Sequence, residues 1–396
     1  MRKGKYRYIM ETKKRVYADN AATTAVLPEV VEAMLPCFNK YWGNPSSLHD
    51  DGQKAKEILD ASRQKIADIF ECNANEIYFT SCGTESDNWA IKGAARAARN
   101  GRKKIVTSKI EHHAVLHTCE ALEKEGFEIT YVGVDSKGII NMEELRAAVD
   151  DNTVIVAVML ANNEIGTIQP IKEIAEIAHA HGALMFTDAV QAVGAIPVKP
   201  KDLGVDMFSM SGHKLGAPKG IGLLYIRKGV NIANLVEGGG QERGHRGGTE
   251  NLPYIVGLAK ALEVAIERMP DNERIRKMRD RLIDGLTALP YSALNGDREK
   301  RLPGNVNVSF DFVEGESFML WLNLEGISVS TGSACSSKSL DPSHVLLATG
   351  VDVEKAHGSL RFSLSHANTD EDVDYILKVV PEVLEKLRKM SPIYPG

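Results

Sequence analysis

Two side chains able to do chemistry stand just past two apolar runs. Asp188 ends the run Ala183-Leu184-Met185-Phe186-Thr187, and Lys214 follows the run from Val205 to Met210 through Ser211-Gly212-His213. A carboxylate and an amine, each at the end of a core strand of one α/β sheet, suit pyridoxal phosphate. The lysine forms the Schiff base, and the carboxylate keeps the pyridine nitrogen protonated so that the ring acts as an electron sink. Each residue also has an ordinary reading, as a helix cap or a solvated charge, and the surrounding residues must decide.

Several neighbours favour the cofactor. Ser81-Cys82-Gly83-Thr84-Glu85-Ser86 follows one strand and opens a helix, where exposed N–H groups attract an anion. Gly83 and Thr84 are therefore candidates for phosphate, as are Ser211 and His213 beside Lys214; a plain N-cap is the alternative. His112, in Glu111-His112-His113, could stack on a flat ring and shuttle protons, or be one of a surface pair. Asn162 and Asn163 end another apolar strand. Their amides suit a phenolic oxygen, a substrate carboxylate or simple turn chemistry, and Gln191 is a second candidate for the phenolic oxygen.

Two candidates lie farther along. Arg361 is a lone cation in the apolar strand Ser359-Leu360-Arg361-Phe362-Ser363. Buried charge needs a partner, either a substrate carboxylate held bidentately or an internal Asp or Glu. Cys335 stands in Ser330-Thr331-Gly332-Ser333-Ala334-Cys335-Ser336-Ser337, where everything around it is small or polar, so it reads as an exposed thiol on a mobile loop. The glycine-rich, basic stretch from Gly238 to Thr249 is either a flexible loop or a segment inserted by a dimer partner into the phosphate site.

Positioning these residues falls to an alternation of strands and helices. Strands are expected at Ile77–Thr80, Lys104–Thr107, Glu128–Val132, Val154–Leu160, Ala183–Thr187, Val205–Met210 and Gly222–Ile226, with helices such as Gln53–Phe70 and Ile171–Ala180 between them. That order predicts an α/β fold with a mostly parallel seven-stranded sheet covered on both faces. Ligands of such sheets sit beyond the carboxyl ends of the strands, where the candidates stand. After about residue 270 the pattern becomes a smaller α+β unit: a helix over 272–289, strands at 305–310, 327–330 and 359–364, and helices over 317–325 and 370–390. The expected division is a basic leader (1–15), a large cofactor-binding domain (24–270), and a small domain (16–23 with 271–396) carrying the Cys335 loop.

Composition limits the alternatives. The chain has 396 residues, 43% hydrophobic and 26% charged, with a net charge of −5, which gives no reason to expect nucleic acid. No apolar run approaches a membrane span, and the leader (Arg2, Lys3, Lys5, Arg7) lacks the apolar core of a signal peptide. It is read as disordered, and Met10 is an alternative start. Five cysteines without a C-x-x-C fit reduced thiols in a cytoplasmic protein better than disulfides or zinc.

With these segments in hand the sequence resembles the NifS/IscS-type cysteine desulfurases, closest to the NifS side. The resemblance is carried by Ala18-Asp19-Asn20-Ala21-Ala22-Thr23-Thr24, Gly43-Asn44-Pro45-Ser46-Ser47-Leu48-His49, Thr80 to Asp87, Asn162-Asn163-Glu164, Thr187 to Gln191, Ser211-Gly212-His213-Lys214 and Gly332-Ser333-Ala334-Cys335. It implies a fold type I pyridoxal-phosphate enzyme of the class V aminotransferase family. Such an enzyme is a homodimer that converts L-cysteine to L-alanine and a protein persulfide for iron–sulfur cluster assembly. By resemblance, Lys214 would hold the cofactor and take the Cα proton. Asp188 would pair with the ring nitrogen, Gln191 with the phenolic oxygen, and His112 would stack on the ring. Thr84, Ser211 and His213, with Thr249 of the other subunit, would bind phosphate; Arg361 and Asn163 would hold the substrate carboxylate. Cys335 would receive the sulfur and pass it to a scaffold of the NifU/IscU type, and is also a candidate transient iron–sulfur ligand, with no other metal expected. Ala217, Gly248 and His366-Ala367-Asn368 depart from the family pattern without removing a functional side chain. Other expectations on the same fold are a selenocysteine lyase, a cysteine sulfinate desulfinase, or another aminotransferase, for which Cys335 has no use.

Overall fold

Continuous runs of β-branched and apolar residues make the centre of the molecule. The computed structural model describes residues 13–331 and 342–395. Cys335 and most of the basic leader lie outside the described residues. Among the described residues twelve strands are formed: β1 Val16–Tyr17, β2 Ile77–Thr80, β3 Lys104–Ser108, β4 Glu128–Val132, β5 Thr153–Ala157, β6 Leu184–Asp188, β7 Met207–Ser211, β8 Gly222–Ile226, β9 Ser292–Leu294, β10 Asn305–Phe310, β11 Ile327–Ser328 and β12 Ser359–Ser363.

Seven of them form the large sheet, in the order β2-β8-β7-β6-β5-β3-β4. The five strands from β7 to β4 run parallel, and β8 lies antiparallel to both β7 and β2. Strands β3, β5, β7 and β8 are buried at every residue, which explains why β5 and β8 read as nearly unbroken apolar runs and why the polar residues of β3 and β7 are mostly small. One face packs Trp89, Ala90 and Ile91 of the Gly83–Ala97 helix against Ile105, Phe186 and Leu224. The other carries the Asp50–Phe70, Ile171–Ala180 and Leu252–Arg268 helices over Val106, Val156, Met185 and Phe208.

The strand expected at 154–160 is shorter as a ladder, and the reason is local. β3 ends at Ser108, so beyond Ala157 one edge of the chain loses its neighbour. Val158 and Leu160 still donate to Phe186 and Asp188 on β6, at 3.1 and 2.8 Å. Met159 N–H instead donates to both oxygens of the buried Glu111 carboxylate, at 3.1 and 3.0 Å. A side chain thus completes what a strand does not.

A second core gathers Val16, Ala18, Ile275, Leu282, Val308, Phe310, Phe318, Phe362, Ile376 and Val380. It is built on the antiparallel sheet β12-β10-β9 under the Asn272–Thr287 and Asp370–Met390 helices, with β1 paired parallel to β11. The chain from Ala18 to Thr24 then passes between the two cores.

One long-range ion pair fixes the glycine-rich stretch. Glu242 and Arg243 adopt left-handed φ of 43° and 59°, and the Glu242 carboxylate is buried. Arg63 grips it bidentately (2.8 and 2.7 Å), and Phe79 N–H adds a third bond at 3.1 Å. Arg63→Leu leaves that carboxylate without a counter-ion and is expected to destabilise the protein by about 3–5 kcal/mol in denaturant unfolding. The double variant Arg63→Leu/Glu242→Leu is expected to recover much of this loss; a single-variant loss under 1 kcal/mol would contradict the assignment.

Candidate active site

The ends of β6 and β7 set the two opening candidates side by side in the sheet. Asp188 pairs in register with Ser209, and Lys214 follows β7 by one short 3-10 turn, Gly212–Lys214. Asp188 is 6% exposed. Its Oδ1 accepts from Val190 N–H at 2.8 Å, and no described residue donates to Oδ2. Burial raises this carboxyl to about 6, while the Val190 N–H and the positive charge of Lys214 pull it back. Behind it lies Asp87, wholly buried and bonded by the Ser209 hydroxyl. Burial, then Asp188, push Asp87 well above the carboxylate range. Of the two, Asp188 is therefore the readier to ionise. A cation set against Oδ2 would favour its charged form further, so the residues present fit a protonated pyridine ring.

The phosphate side fits as well. The Gly83–Ala97 helix begins with Cys82 at its N-cap and no side-chain cap, which leaves its first N–H groups to other acceptors. A Cβ on Gly83 would come within 2.7 Å of Val190 Cγ2, so the turn needs glycine to lie this close to the Asp188 loop. Ser211 is buried at the end of β7. The glycine-rich stretch is brought against this turn within the same chain, because Arg246 Nε donates to Glu85 Oε1 at 2.8 Å. Thr249 is exposed on that stretch.

Lys214 Nζ donates to the carbonyls of Ala21 and Ala22 at 2.5 and 2.8 Å. Gln191, expected at a phenolic oxygen, donates from Nε2 to the same Ala21 carbonyl at 3.0 Å. His213, expected at phosphate, has Nδ1 3.1 Å from Thr23 Oγ1. The segment 21–23 thus holds three candidates at once.

His112 caps the His113–Lys124 helix, its Nδ1 accepting from Ala114 N–H at 3.1 Å. In the neutral ring the proton then sits on Nε2. Burial, followed by the charges of His113 and Lys214, lowers its pKa to about 4; burial and then Lys214 lower His213 to about 4. Both are neutral at pH 7.

Arg361 arrives from β12. Its Nη1 donates to the Asn163 carbonyl (2.9 Å) and its Nη2 to Asp19 Oδ1 (3.1 Å), while Nε is buried with no partner among the described residues. The internal acidic partner is therefore real, and one donor remains beyond it. Asn163 meets Arg361 through its backbone carbonyl. Next to it, buried Glu164 accepts from the Ser343 hydroxyl at 2.5 Å, and burial raises it to about 7. On the other flank Ser330 exchanges backbone bonds with Arg361 at 3.1 and 2.7 Å. Both described flanks of the Cys335 stretch are thereby fastened beside Arg361 and Asn163. A cavity of about 700 Å³ adjoins the site; Lys214 and Gln191 line it, whereas Asp188, His112 and Arg361 do not.

Asp19, Asp87 and Glu111 are site residues that the residue-by-residue reading did not single out. The signal lay in the quoted motifs, where Asp19 and Asp87 stand and Glu111 precedes His112.

The chain as a whole is similar to known proteins. The family model described as Aminotransferase class-V matches residues 16–376. A "Cysteine desulfurase IscS" from Methanosarcina thermophila is 56% identical over 383 residues, 96% of this chain and 95% of its own. One from Clostridium botulinum (strain Hall) is 52% identical over 385 residues, covering 96% and 97%. Among solved structures, a "NIFS-LIKE PROTEIN" is 42% identical with a TM-score of 0.89, covering 94% of this chain and 100% of that one. The apo cysteine desulfurase of Thermococcus onnurineus NA1 is 27% identical with a TM-score of 0.84, covering 94% and 95%.

The depressed histidines have a defined linkage. Below pH 6.5 the unfolded chain takes up a proton that folded His112 refuses until about pH 4, so this group removes stability as pH falls through that window. Its imidazole NMR signals are expected to keep neutral-form shifts at pH 5. The stability advantage of wild type over His112→Asn is expected to shrink by about 2 kcal/mol between pH 7 and 5. A titration midpoint near 6.5 would refute the assignment.

Proposed function

The chain belongs to the class-V aminotransferase family, and from that premise we infer a pyridoxal-phosphate-dependent cysteine desulfurase, which converts L-cysteine to L-alanine and passes the sulfur to a protein thiol. The observation that carries this reading within the chain is the convergence of Asp188 and Lys214 from adjacent strands with Arg361 from the second core.

The cofactor, when bound, supplies an electron sink that loosens the Cα proton of an attached amino acid and opens its β-sulfur to attack. Lys214 provides the amine that holds the cofactor and then moves the Cα proton. Asp188, readier to ionise than Asp87, provides the fixed negative charge opposite the ring nitrogen. His112, uncharged, would stack on the ring without adding a second cation beside it. Gly83, Thr84 and Ser211 receive the phosphate at the start of the Gly83–Ala97 helix. Gln191 would hold the phenolic oxygen and His213 the phosphate, in place of their bonds to Ala21 and Thr23. Arg361 Nε, with Asn163, takes the substrate carboxylate.

Cys335 is the acceptor of the sulfur. Its thiolate attacks the substrate sulfur, the Cβ–S bond breaks with its electrons returning to the carbon skeleton, and an S–S bond forms. The fastening at Ser330 and Ser343 supports this role, because it sets both described flanks of that stretch beside the substrate carboxylate site.

We further propose a homodimer. Val31, Leu35, Phe38, Trp42 and Leu48 are exposed within one short stretch, Trp42 at 69% and Leu48 at 92%, and a second copy would cover them. Thr249 of the partner copy would then complete the phosphate site. The persulfide would serve iron–sulfur cluster assembly through a NifU/IscU-type scaffold. Among the described residues no helix is long and apolar enough to cross a membrane, and we place the protein in the cytoplasm.

Incubation with L-cysteine and no keto acid is expected to yield alanine in wild type, with a persulfide on Cys335 visible by mass spectrometry. Cys335→Ala is expected to keep the cofactor absorbance and lose persulfide formation by at least about 100-fold. Lys214→Ala is expected to lose both the aldehyde-linked absorbance and alanine formation. Undiminished sulfur release by Cys335→Ala would refute the acceptor role.

A further inference from the structure

Arg361 is already paired when it reaches the crevice. Its side chain is 3% exposed and that of Asp19 is 19% exposed. Asp19 is pushed up by burial and pulled back by Arg361 and by Lys214, so both cations of the site act on this one carboxylate. Its backbone is pinned on both sides: Ala18 N–H donates to Ser328, Asn20 N–H to Ser363, and Ala22 N–H to the Asp19 carbonyl at 3.0 Å. The backbone of Asp19 is thereby fixed, and its carboxylate is held by Arg361 Nη2.

An α-amino acid carries its carboxylate and its ammonium on the same carbon. A carboxylate docked on Arg361 Nε puts the ammonium next to whatever lies between Arg361 and Lys214, and Asp19 is an anion in that interval. We propose that Asp19 recognises the substrate's α-ammonium, which selects a zwitterionic amino acid over a thiol acid lacking the amine. This rests on the reading that Arg361 binds the substrate carboxylate. The electrostatics have a definite sign. A zwitterion brings its own cation to Asp19, whereas a thiol acid sets a second anion beside it, and like charges in a partly desolvated site repel. A residue that only held Arg361 in place would treat both ligands alike.

Asp19→Asn keeps an acceptor for Arg361 and removes the charge. With the holoenzyme, KM for L-cysteine is expected to rise at least about 10-fold while kcat falls less than about threefold. Binding of 3-mercaptopropionate, read by its inhibition constant and by perturbation of the cofactor spectrum, is expected to tighten several-fold. Asp19→Ala, measured in the same way, covers an Asn variant that folds poorly. Weakening of both ligands together, or an unchanged KM for cysteine, overturns the proposal and leaves Asp19 a prop for Arg361. Arg361→Gln, run in parallel, tests the premise separately. It is expected to weaken 3-mercaptopropionate, and no change there overturns the carboxylate reading and the Asp19 proposal with it.

Discussion

The carbonyl of Ala21 is the point on which the crevice turns. It accepts from both Lys214 and Gln191, while the same short segment holds His213 through Thr23 and reaches Arg361 through Asp19. The segment has no helix or ladder of its own to hold it. It turns tightly at Asn20–Ala22 and is bonded to the large sheet through Thr24 to His213 and to the second core through Asn20 and Ala21 to Ser363. A backbone carbonyl cannot change rotamer, so the groups bonded to it inherit its position to within a hydrogen bond's tolerance. The geometry of the site is therefore set by where two cores meet, and only secondarily by side-chain choice.

The second constraint is dryness. Asp87, Glu111, Glu164 and Asp188 are buried carboxyl groups with little water, and the first two act electrostatically on or with Asp188. Burial raises all four, and their mutual repulsion adds to this for Asp87 and Glu111. Glu111 is pushed to about 8 and spends its oxygens on Met159 N–H and the Ser108 hydroxyl. Asp188 is displaced less than Asp87 because a backbone N–H and Lys214 compensate. Ranking several carboxyls in acidity by their surroundings lets one fold carry a negative charge where a cofactor cation needs it.

Much of the frame was legible in the sequence, for identifiable reasons. β2, β4, β8 and β10 have in the structure the bounds expected from the sequence: β8 is an unbroken apolar run buried at every residue, whereas β4 and β10 show as β-branched and aromatic residues mixed with polar ones. Asp188, Lys214 and the Ser81–Ser86 turn were legible because each ends or follows such a strand. β9, with three residues, is too short to show a period. The partner of Arg361 is 342 positions away and that of Glu242 is 179, so neither pairing leaves a local trace. Nor could spacing reveal that His112 is neutral, because desolvation depends on what the fold lays over the ring. The motif that carries Asp19 was visible, but its partner was not.

The pairing of β1 with β11 has a consequence for how the molecule comes into being. Val16 and Tyr17 take as their neighbours Ile327 and Ser328, which a ribosome adds roughly 15–60 s later at ordinary elongation rates. The large sheet, whose last strand ends at Ile226, can close while synthesis continues. The first strand cannot, and neither can the segment from Ala18 to Thr24 that follows it. Nascent chains must therefore carry an open seam at the crevice until β11 and β12 emerge. Loading of the cofactor into finished geometry is then an event that follows synthesis, and contacts of such long sequence separation make that closing step slow.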